Sequence, residues 1–271
     1  MVRSLYTAAT GMIAQQSNVD NISNNLANVN TIGYKQEKME FKSLLYQTLQ
    51  TRTTSANGET KPIPAQAGLG TRVASNTSIF TQGSMLESES ATDFAIVGDG
   101  FFAVRGADGE TYYTRAGSFT WAMGPTGLTL TTPEGYPVLG TNGNPIVIPN
   151  GVQAEQVSVS TDGSIGYRTN EGNFVDLNQR FALYQFNNPA GLEKIGSNLL
   201  SVTDASGNAL PEATTANLTA SQVRQKWREG SNVNVATEMV NLIVAQRAYQ
   251  LNSKAITTSD DMLEQANNLK R

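Results

Sequence analysis

The sequence of 271 residues contains no cysteine and no histidine. Without cysteine the chain has no disulfide, no thiolate metal site and no cysteine nucleophile. Without histidine it also lacks the commonest general base and the commonest metal ligand of enzymes. These two absences argue against catalysis, and we expect neither a cofactor nor a metal ion.

Charged side chains are also scarce: they make up 15% of the residues, against roughly 25% in typical soluble proteins. The net charge of −4 offers no basic field for nucleic acid or for an anionic membrane. No window of about 20 residues is apolar enough to span a bilayer. The first residues, MVRSLYTAATGMIAQQ, lack the continuous apolar stretch of a cleaved secretory signal. We therefore expect no nucleic-acid partner, no direct membrane insertion and, for an exported chain, an address without a cleaved signal peptide.

Apolar residues near the N-terminus repeat every seven positions, which is typical of a helix that packs against another helix. A second line of residues follows three positions behind the first. The pattern predicts one helix over residues 4–30, with Gly33 as a stop signal beyond it. The first line is Leu5, Met12, Val19 and Leu26, and the second line is Ala8, Gln15, Ile22 and Val29.

The C-terminal end repeats this pattern over residues 231–269. Asn234 is suited to cap the helix, and Glu238 would face the positive end of the helix dipole in the first turn. We expect this helix and the N-terminal helix to meet as a coiled pair. The apolar line of the C-terminal helix is Val235, Leu242, Tyr249, Ile256 and Leu263.

The residue composition between the helices changes twice. Residues 35–50 are compatible with a second, shorter helix or with an extended arm. Residues 51–80 are rich in Thr, Ser, Gly and Pro, which is typical of a long connection. From residue 81 to about 210, short apolar runs alternate with turn dipeptides, which favours hairpins of a sandwich or barrel-like domain. The turn dipeptides are Asp108-Gly109, Asn142-Gly143, Asp162-Gly163 and Glu171-Gly172.

These patterns predict an α+β fold. Long N- and C-terminal heptad helices form a coiled-coil stem, and a mainly antiparallel β domain is inserted between them. The predicted divisions are residues 1–34 for the N-terminal core helix, 35–80 for an extended linker or stiffening segment, 81–230 for the β-rich outer domain and 231–271 for the C-terminal core helix.

Both helices carry amides where an ordinary solvated helix carries Lys and Glu. Between Ser4 and Tyr34 the only charged residue is Asp20. An amide both donates and accepts, so it can pair with a neighbouring helix without the desolvation cost of a charge. The pattern favours burial in an assembly over the plainer interpretation of a polar surface. The amides of the first helix are Gln15, Gln16, Asn18, Asn21, Asn24, Asn25, Asn28 and Asn30.

Catalytic interpretations find weak support. Gly98-Asp99-Gly100 predicts a strand–turn–strand corner, because the third glycine and the following helix of a nucleotide-binding loop are missing. A pair of acids could serve a glycosidase, but acids beside hairpin turns are expected on structural grounds. A carbohydrate-active enzyme is thus a minor alternative to a structural protein. The candidate acids are Asp93, Asp99, Asp108 and Glu110.

Three long blocks of the sequence are similar to the motifs of one family. The first block is SLYTAATGMIAQQSNVDNISNNLANVNTIGYK, at residues 4–35. The second is DFAIVGDGFFAVRGADGETYYTRAGSF, at residues 93–119, and the third is SNVNVATEMVNLIVAQRAYQLNSKAITTSDDMLEQANNL, at residues 231–269. Through these blocks the sequence resembles the rod and hook family of axial proteins in the bacterial flagellum.

The resemblance implies a structural subunit of the flagellar basal body that is exported through the flagellar type III system. Such subunits polymerise helically into a hollow, rigid shaft that transmits torque from the motor to the hook. The implied partners are further copies of the chain, neighbouring rod and hook subunits, and surrounding ring proteins. The predicted assembly interface comprises Leu5, Met12, Val19, Ile22, Asn25, Leu26, Asn28, Val29, Val235, Leu242, Tyr249, Ile256 and Leu263.

Within that family, the segment LLYQT at residues 44–48 and the sequence that follows it favour the distal part of the rod. A proximal rod subunit or a hook-like subunit is the alternative. The resemblance implies that this added segment stiffens the tube. Its marker residues are Tyr46, Gln47, Pro62 and Pro64.

Overall fold

The computed structural model describes residues 2–50, 65–124, 127–149, 152, 154–168, 174–215 and 218–269. The chain has an α+β architecture and forms two compact units. The helical unit combines residues 1–27, 37–77 and 234–271, and the β unit combines residues 28–36 and 78–233. Segments from both ends and from the first third of the sequence therefore fold together in the helical unit.

Within the described residues the α-helices are α1, Val2–Ala27, and α2, Val235–Asn268. Short 3₁₀ helices cover Ala154–Gln156 and Pro189–Gly191. The strands are β1 Glu37–Ser43, β2 Tyr46–Gln50, β3 Ala65–Gly68, β4 Thr71–Ser78, β5 Met85–Glu87, β6 Phe94–Val97, β7 Phe101–Arg105, β8 Thr111–Thr114, β9 Thr120–Gly124, β10 Gly127–Thr131, β11 Val147–Ile148, β12 Val157–Val159, β13 Ser164–Arg168, β14 Phe174–Arg180, β15 Leu183–Gln185, β16 Glu193–Gly196, β17 Leu199–Ser201, β18 Leu210–Pro211, β19 Gln222–Gln225 and β20 Trp227–Glu229.

Helix α1 ends at Ala27, earlier than the predicted end at residue 30. A turn takes the place of the last predicted residues, because Thr31 donates its backbone N–H and its hydroxyl to the two oxygens of Asn28, at 3.1 and 3.0 Å. Asparagine and threonine form such local bonds readily, and these bonds compete with helical ones. Asn28 and Val29 therefore follow the helix. Gly33, with φ of 70°, lies beyond the turn and does not cap α1.

Helix α2 begins as the sequence predicts. The side chain of Asn234 caps it by accepting a 3.2 Å hydrogen bond from the backbone N–H of Thr237. Glu238 lies in the first turn, where the helix dipole favours a negative charge. Across the described part of the chain, no helix has both the length and the apolar character needed to cross a membrane.

The segment after α1 forms a two-stranded ribbon, so the extended arm and not the second helix is present. Strand β1 pairs with β4, and β2 pairs with β3. Between these pairs Leu44 donates its N–H to the backbone oxygen of Gly70 at 2.9 Å, and Leu69 donates to Leu45 at 3.3 Å. The hydrogen-bond ladder therefore continues from one pair of strands to the next.

The β unit is built from antiparallel hairpins, as predicted. Its largest sheet has the order β16-β17-β8-β7-β15-β18. Asp108-Gly109 lies between β7 and β8, and Asp162-Gly163 lies between β12 and β13, with φ of 85° at Gly109 and 84° at Gly163. Positive φ at these glycines is what a tight hairpin turn requires. The predicted turn at Glu171-Gly172 lies outside the described residues.

The core of the β unit is centred on four phenylalanines that are at most 2% exposed: Phe94, Phe102, Phe119 and Phe181. The ring centroids of Phe94 and Phe181 are 5.0 Å apart, and those of Phe102 and Phe119 are 5.2 Å apart. These are ordinary separations for tilted and edge-on aromatic pairs. Because the rings come from separate parts of the β unit, the cluster joins its sheets.

We expect Phe181→Ala to lower the free energy of unfolding of the β unit by about 3–5 kcal/mol, because it removes buried surface and leaves a cavity. Urea denaturation followed by tryptophan fluorescence measures the change. The control is Met123→Ala at a side chain that is 80% exposed, for which we expect a change within about 0.5 kcal/mol. Equal effects of the two substitutions would contradict the assignment of the core.

Candidate assembly surface

Helices α1 and α2 contact each other along a line of small and polar residues, which we name the polar seam. From one contact to the next, the position advances by seven or fourteen residues along α1 and moves back by the same number along α2, so the helices run antiparallel. The same spacing places Asn18 opposite Ala245. The contacts are Ser4 with Ser259, whose hydroxyl oxygens lie 3.3 Å apart, Gly11 with the side chain of Asn252, and Asn25 with Glu238 at 3.2 Å.

The structure keeps the predicted period of seven but rotates the face that meets the partner helix. On α1, the seam residues precede the first predicted line by one position. They follow the second predicted line by three positions, and Ala8 and Ile22 of that line are buried. On α2, the seam residues follow the predicted line by three positions. Small seam residues allow the helices to approach closely, and the larger apolar side chains lie beside the seam. Of the predicted interface, Ile22 and Asn25 are buried, Val235 and Tyr249 are exposed, and Leu5, Met12, Val19, Leu26, Asn28, Val29, Leu242, Ile256 and Leu263 are half-buried.

Asn21 and Asn25, two asparagines of α1, bind groups in other parts of the chain. Asn25 is 1% exposed, donates to the backbone oxygen of Glu37 at 2.8 Å and accepts from its N–H at 2.9 Å. Asn21 donates to the side chain of Asn76 at 3.2 Å. With the bond from Asn25 to Glu238, these amides connect α1 to α2 and to both strands at the base of the ribbon. Sequence reasoning placed Glu238 only at the helix dipole and missed its contact with Asn25.

Part of α2 presents an exposed apolar surface, which we name the outer face of α2. Met239 and Ile243 are four residues apart and are 52% and 51% exposed. An apolar surface of this kind on a soluble protein marks a site of interaction. The outer face comprises Met239, Val240, Ile243, Val244 and Leu251.

The ribbon lies along α1 at Thr10. The hydroxyl of Thr10 accepts a 3.4 Å hydrogen bond from the N–H of Thr71. Gly70 has φ of 116°, and an added Cβ there would lie only 2.1 Å from the same hydroxyl oxygen. This contact requires glycine both for its backbone angle and for its lack of a side chain.

The β2–β3 part of the ribbon carries exposed apolar side chains. Leu45 is 82% exposed, and Leu49 is 57% exposed. Of the predicted marker residues, Tyr46 and Gln47 lie in β2 and are exposed. Pro62 and Pro64 lie outside the described residues. Since a two-stranded ribbon has little stability of its own, these side chains are suited to contact another surface.

A buried ionic cluster lies in the β unit. Lys35 Nζ is 2.6 Å from Glu229 Oε1, and Arg115 Nε is 3.5 Å from Glu229 Oε2. The three side chains are at most 4% exposed. Burial lowers the pKa of the Lys35 ammonium, an effect that the attraction of Glu229 opposes. Burial also lowers the pKa of Arg115, again against the attraction of Glu229.

Backbone contacts around this cluster bring together two segments that are distant in sequence. Gly33 donates its N–H to the backbone oxygen of Glu229 at 2.8 Å, and Gln36 donates to the side chain of Asn232 at 2.7 Å. The guanidinium of Arg115 donates to the backbone oxygens of the corner at residues 98–100. All three sequence blocks therefore contribute to one site, although Glu229 lies just outside the third block and sequence reasoning missed it.

The acids weighed for catalysis have structural partners or lie in turns. Asp93 accepts a 2.5 Å hydrogen bond from Ser88 and lies 3.5 Å from Arg228. Asp108 accepts from the hydroxyl of Tyr112, which lowers the pKa of the Asp108 carboxyl. Asp99 and Glu110 are exposed. Among the described residues no group of three or more acids is arranged to hold a metal ion.

Three families match successive parts of the chain. Residues 5–35 match the family described as flagella basal body rod protein. Residues 95–167 match the flagellar hook protein FlgE/F/G D1 domain. Residues 224–269 match the flagellar basal body rod FlgEFG protein C-terminal family. The matches include most of α1, all of α2 and part of the β unit.

Relatives extend this similarity over the whole chain. A flagellar basal-body rod protein FlgG from Borreliella burgdorferi is 44% identical, with 100% of each chain covered. A protein of the same description from Bacillus subtilis is 38% identical, again over 100% of each chain. The flagellar hook-basal body complex protein FlhP of Bacillus subtilis is 33% identical at the same coverage.

We expect Glu229→Gln to lower the free energy of unfolding of the β unit by about 3–5 kcal/mol, because two buried cations lose their carboxylate. Urea denaturation measures this change. Asp162→Asn is the matched control, since Asp162 pairs with Arg180 at the exposed surface, where the loss is expected to stay below about 1 kcal/mol. A Glu229→Gln protein as stable as this control would refute the role of the ionic cluster.

Proposed function

Because the chain belongs to the family of flagellar basal-body rod proteins FlgG, we propose that it is a structural subunit of the distal rod of a bacterial flagellum. Copies of the chain assemble helically into a hollow, rigid drive shaft that transmits torque from the motor to the hook. Identity of 44% over the full length of a basal-body rod protein supports this assignment. The role that we propose is structural, and the matched families are described as rod proteins.

The observation that carries the proposal is the exposed outer face of α2. Val240 and Val244 are each 60% exposed, and Leu251 is 69% exposed. A neighbouring copy that covers these side chains removes apolar surface from water. A contact between different surfaces of two copies extends into a helical filament when its rotation does not close a ring.

We further propose that α1 and α2 form a coiled-coil stem whose predicted interface residues contact neighbouring copies. Leu26 and Ile256 are half-buried beside the polar seam, so part of each side chain is accessible to a neighbour. In this arrangement residues 1–34 and 231–271 supply the core of the tube. Residues 35–80 stiffen the tube, and residues 81–230 form an outer domain.

The proposed partners are other copies of the chain, rod and hook subunits at the two ends of the polymer, and ring proteins around it. The subunit is exported through the flagellar type III system without a cleaved signal peptide. The absence of cysteine suits this route, because no stray disulfide can form after the chain leaves a reducing compartment. The central channel of the polymer then passes later subunits.

A proximal rod or hook-like subunit is the second candidate. The full-length identity of 33% with a hook-basal body complex protein supports this alternative. Exchange of residues 46–66 between paralogues separates the two assignments. If the chain is a distal rod subunit, this segment is expected to keep its polymer straight. A paralogue that receives the segment should then form straighter polymers.

We expect Ile243→Asp to abolish polymer formation while the monomer stays folded. The side chain is 51% exposed in the single chain, so the carboxylate is tolerated there, but a neighbouring copy would bury it unpaired. Sedimentation and electron microscopy measure polymer formation, and circular dichroism measures the fold of the monomer.

Thr257→Asp is the matched control, because it adds the same charge to an exposed polar position of α2. The control is expected to polymerise. Polymers of normal length from Ile243→Asp would refute the outer face of α2 as an interface. The corresponding test of the predicted stem is Leu26→Asp or Ile256→Asp, and normal assembly by these variants would refute the stem.

Deletion of residues 46–66 is expected to leave a polymer that forms but bends more easily. The deletion removes β2 and its exposed apolar side chains, which in the proposed polymer resist sliding of neighbouring copies. The persistence length of the polymers in electron micrographs measures the effect. An unchanged persistence length would contradict a stiffening role.

A further inference from the structure

We propose that Gly11 and Asn252 form a register lock that selects one antiparallel alignment of α1 and α2. The lock consists of a recess at Gly11 and the amide of Asn252 that occupies it. This inference concerns the pairing of helices within one chain. It goes beyond the proposed function and does not depend on it.

The recess exists because position 11 has no side chain. A Cβ built on Gly11 would lie 2.8 Å from Nδ2 and 3.2 Å from Cγ of Asn252. Gly11 lies in the interior of α1, where glycine is destabilising relative to alanine. The close approach of Asn252 explains why a residue without a side chain suits this position.

The contacts on either side of the lock are also specific to this alignment. One heptad before Gly11, the hydroxyls of Ser4 and Ser259 lie 3.3 Å apart. Two heptads after it, the buried side chain of Asn25 donates to the buried carboxylate of Glu238 at 3.2 Å. Polar pairs at seam positions are known to specify register and partner in paired helices.

Helices with a heptad pattern can slip by seven residues, because the apolar pattern repeats after each slip. A slip in one direction brings Ala245 to Gly11 and leaves the recess unfilled. A slip in the other direction brings Ala245 to Asn25, which then loses Glu238. Asn25 keeps its bonds to Glu37 in that alignment, but the loss of one buried hydrogen bond is unfavourable. The observed alignment is therefore the one that fills the recess and pairs the buried amide.

The chain has no cysteine, so introduced thiols report the register without interference. A Ser4→Cys, Ser259→Cys chain is expected to form an intrachain disulfide under mild oxidation, since the two hydroxyls are already adjacent. Non-reducing electrophoresis and peptide mass mapping measure the yield. A Ser4→Cys, Ala245→Cys chain is the control for random cross-linking, because its two positions lie two heptads out of register.

The lock is tested by Gly11→Leu in the Ser4→Cys, Ser259→Cys chain. A leucine fills the recess, and the yield of the in-register disulfide is expected to fall about fivefold or more. Adding Asn252→Ala makes room on α2 for the leucine introduced on α1 and is expected to restore the yield. Adding Gln250→Ala instead, at an exposed position of the same helix, is expected to restore nothing.

Unfolding of the Gly11→Leu chain cannot imitate this result, because rescue must be specific to position 252. Asn252→Ala alone introduces no clash and is expected to lower the in-register yield by itself. An unchanged yield in Gly11→Leu, or a loss that Asn252→Ala does not rescue, would overturn the lock. Because the assay uses the monomeric full-length chain, a failure to polymerise with normal cross-linking would count against the proposed function and not against the lock.

Discussion

The polar seam between α1 and α2 is the contact on which the helical unit depends. It pairs residues that are between 213 and 255 positions apart in the sequence. Serine, glycine, alanine and asparagine contribute little apolar burial at the seam itself. The seam instead works through close approach and through the Asn25–Glu238 bond. Asn25 also binds Glu37 of the ribbon, so the same side chain aligns α1 with α2 and with β1.

The β unit depends on different physics. Four interlocking phenylalanines supply an apolar core, and a buried ionic cluster fixes the chain segments around Lys35 and Glu229. Buried ions contribute less to net stability than an apolar core, but one that loses its partner is costly. The cluster therefore acts as a constraint on geometry: residues 33–36 and 229–232 are held side by side by three charges and by Asn232. Each of the three sequence blocks ends in, begins at or passes through this site.

The sequence predicted local features well and long-range pairing poorly. The turns at Asp108-Gly109 and Asp162-Gly163 were predictable, because few dipeptides adopt positive φ without strain. The seven-residue period and the cap at Asn234 were predictable for similar local reasons. The phase of the seam was not, because apolar periodicity does not reveal whether the apolar side faces the partner helix in the same chain or another surface. Likewise, Lys35, Arg115 and Glu229 meet only through the topology of the β unit, which no local pattern encodes.

The outer face of α2 has an energetic consequence for the proposed assembly. Its side chains, such as Val240, Ile243 and Leu251, are exposed in the single chain. Covering one of them contributes about 1 kcal/mol or more, since each is already partly buried. One such contact surface therefore supplies only a few kcal/mol. The estimated cost of immobilising a subunit is about 4–15 kcal/mol, and most of that range is larger than this gain. We infer that a subunit binds stably only where several neighbours contact it together, as at the end of a growing tube.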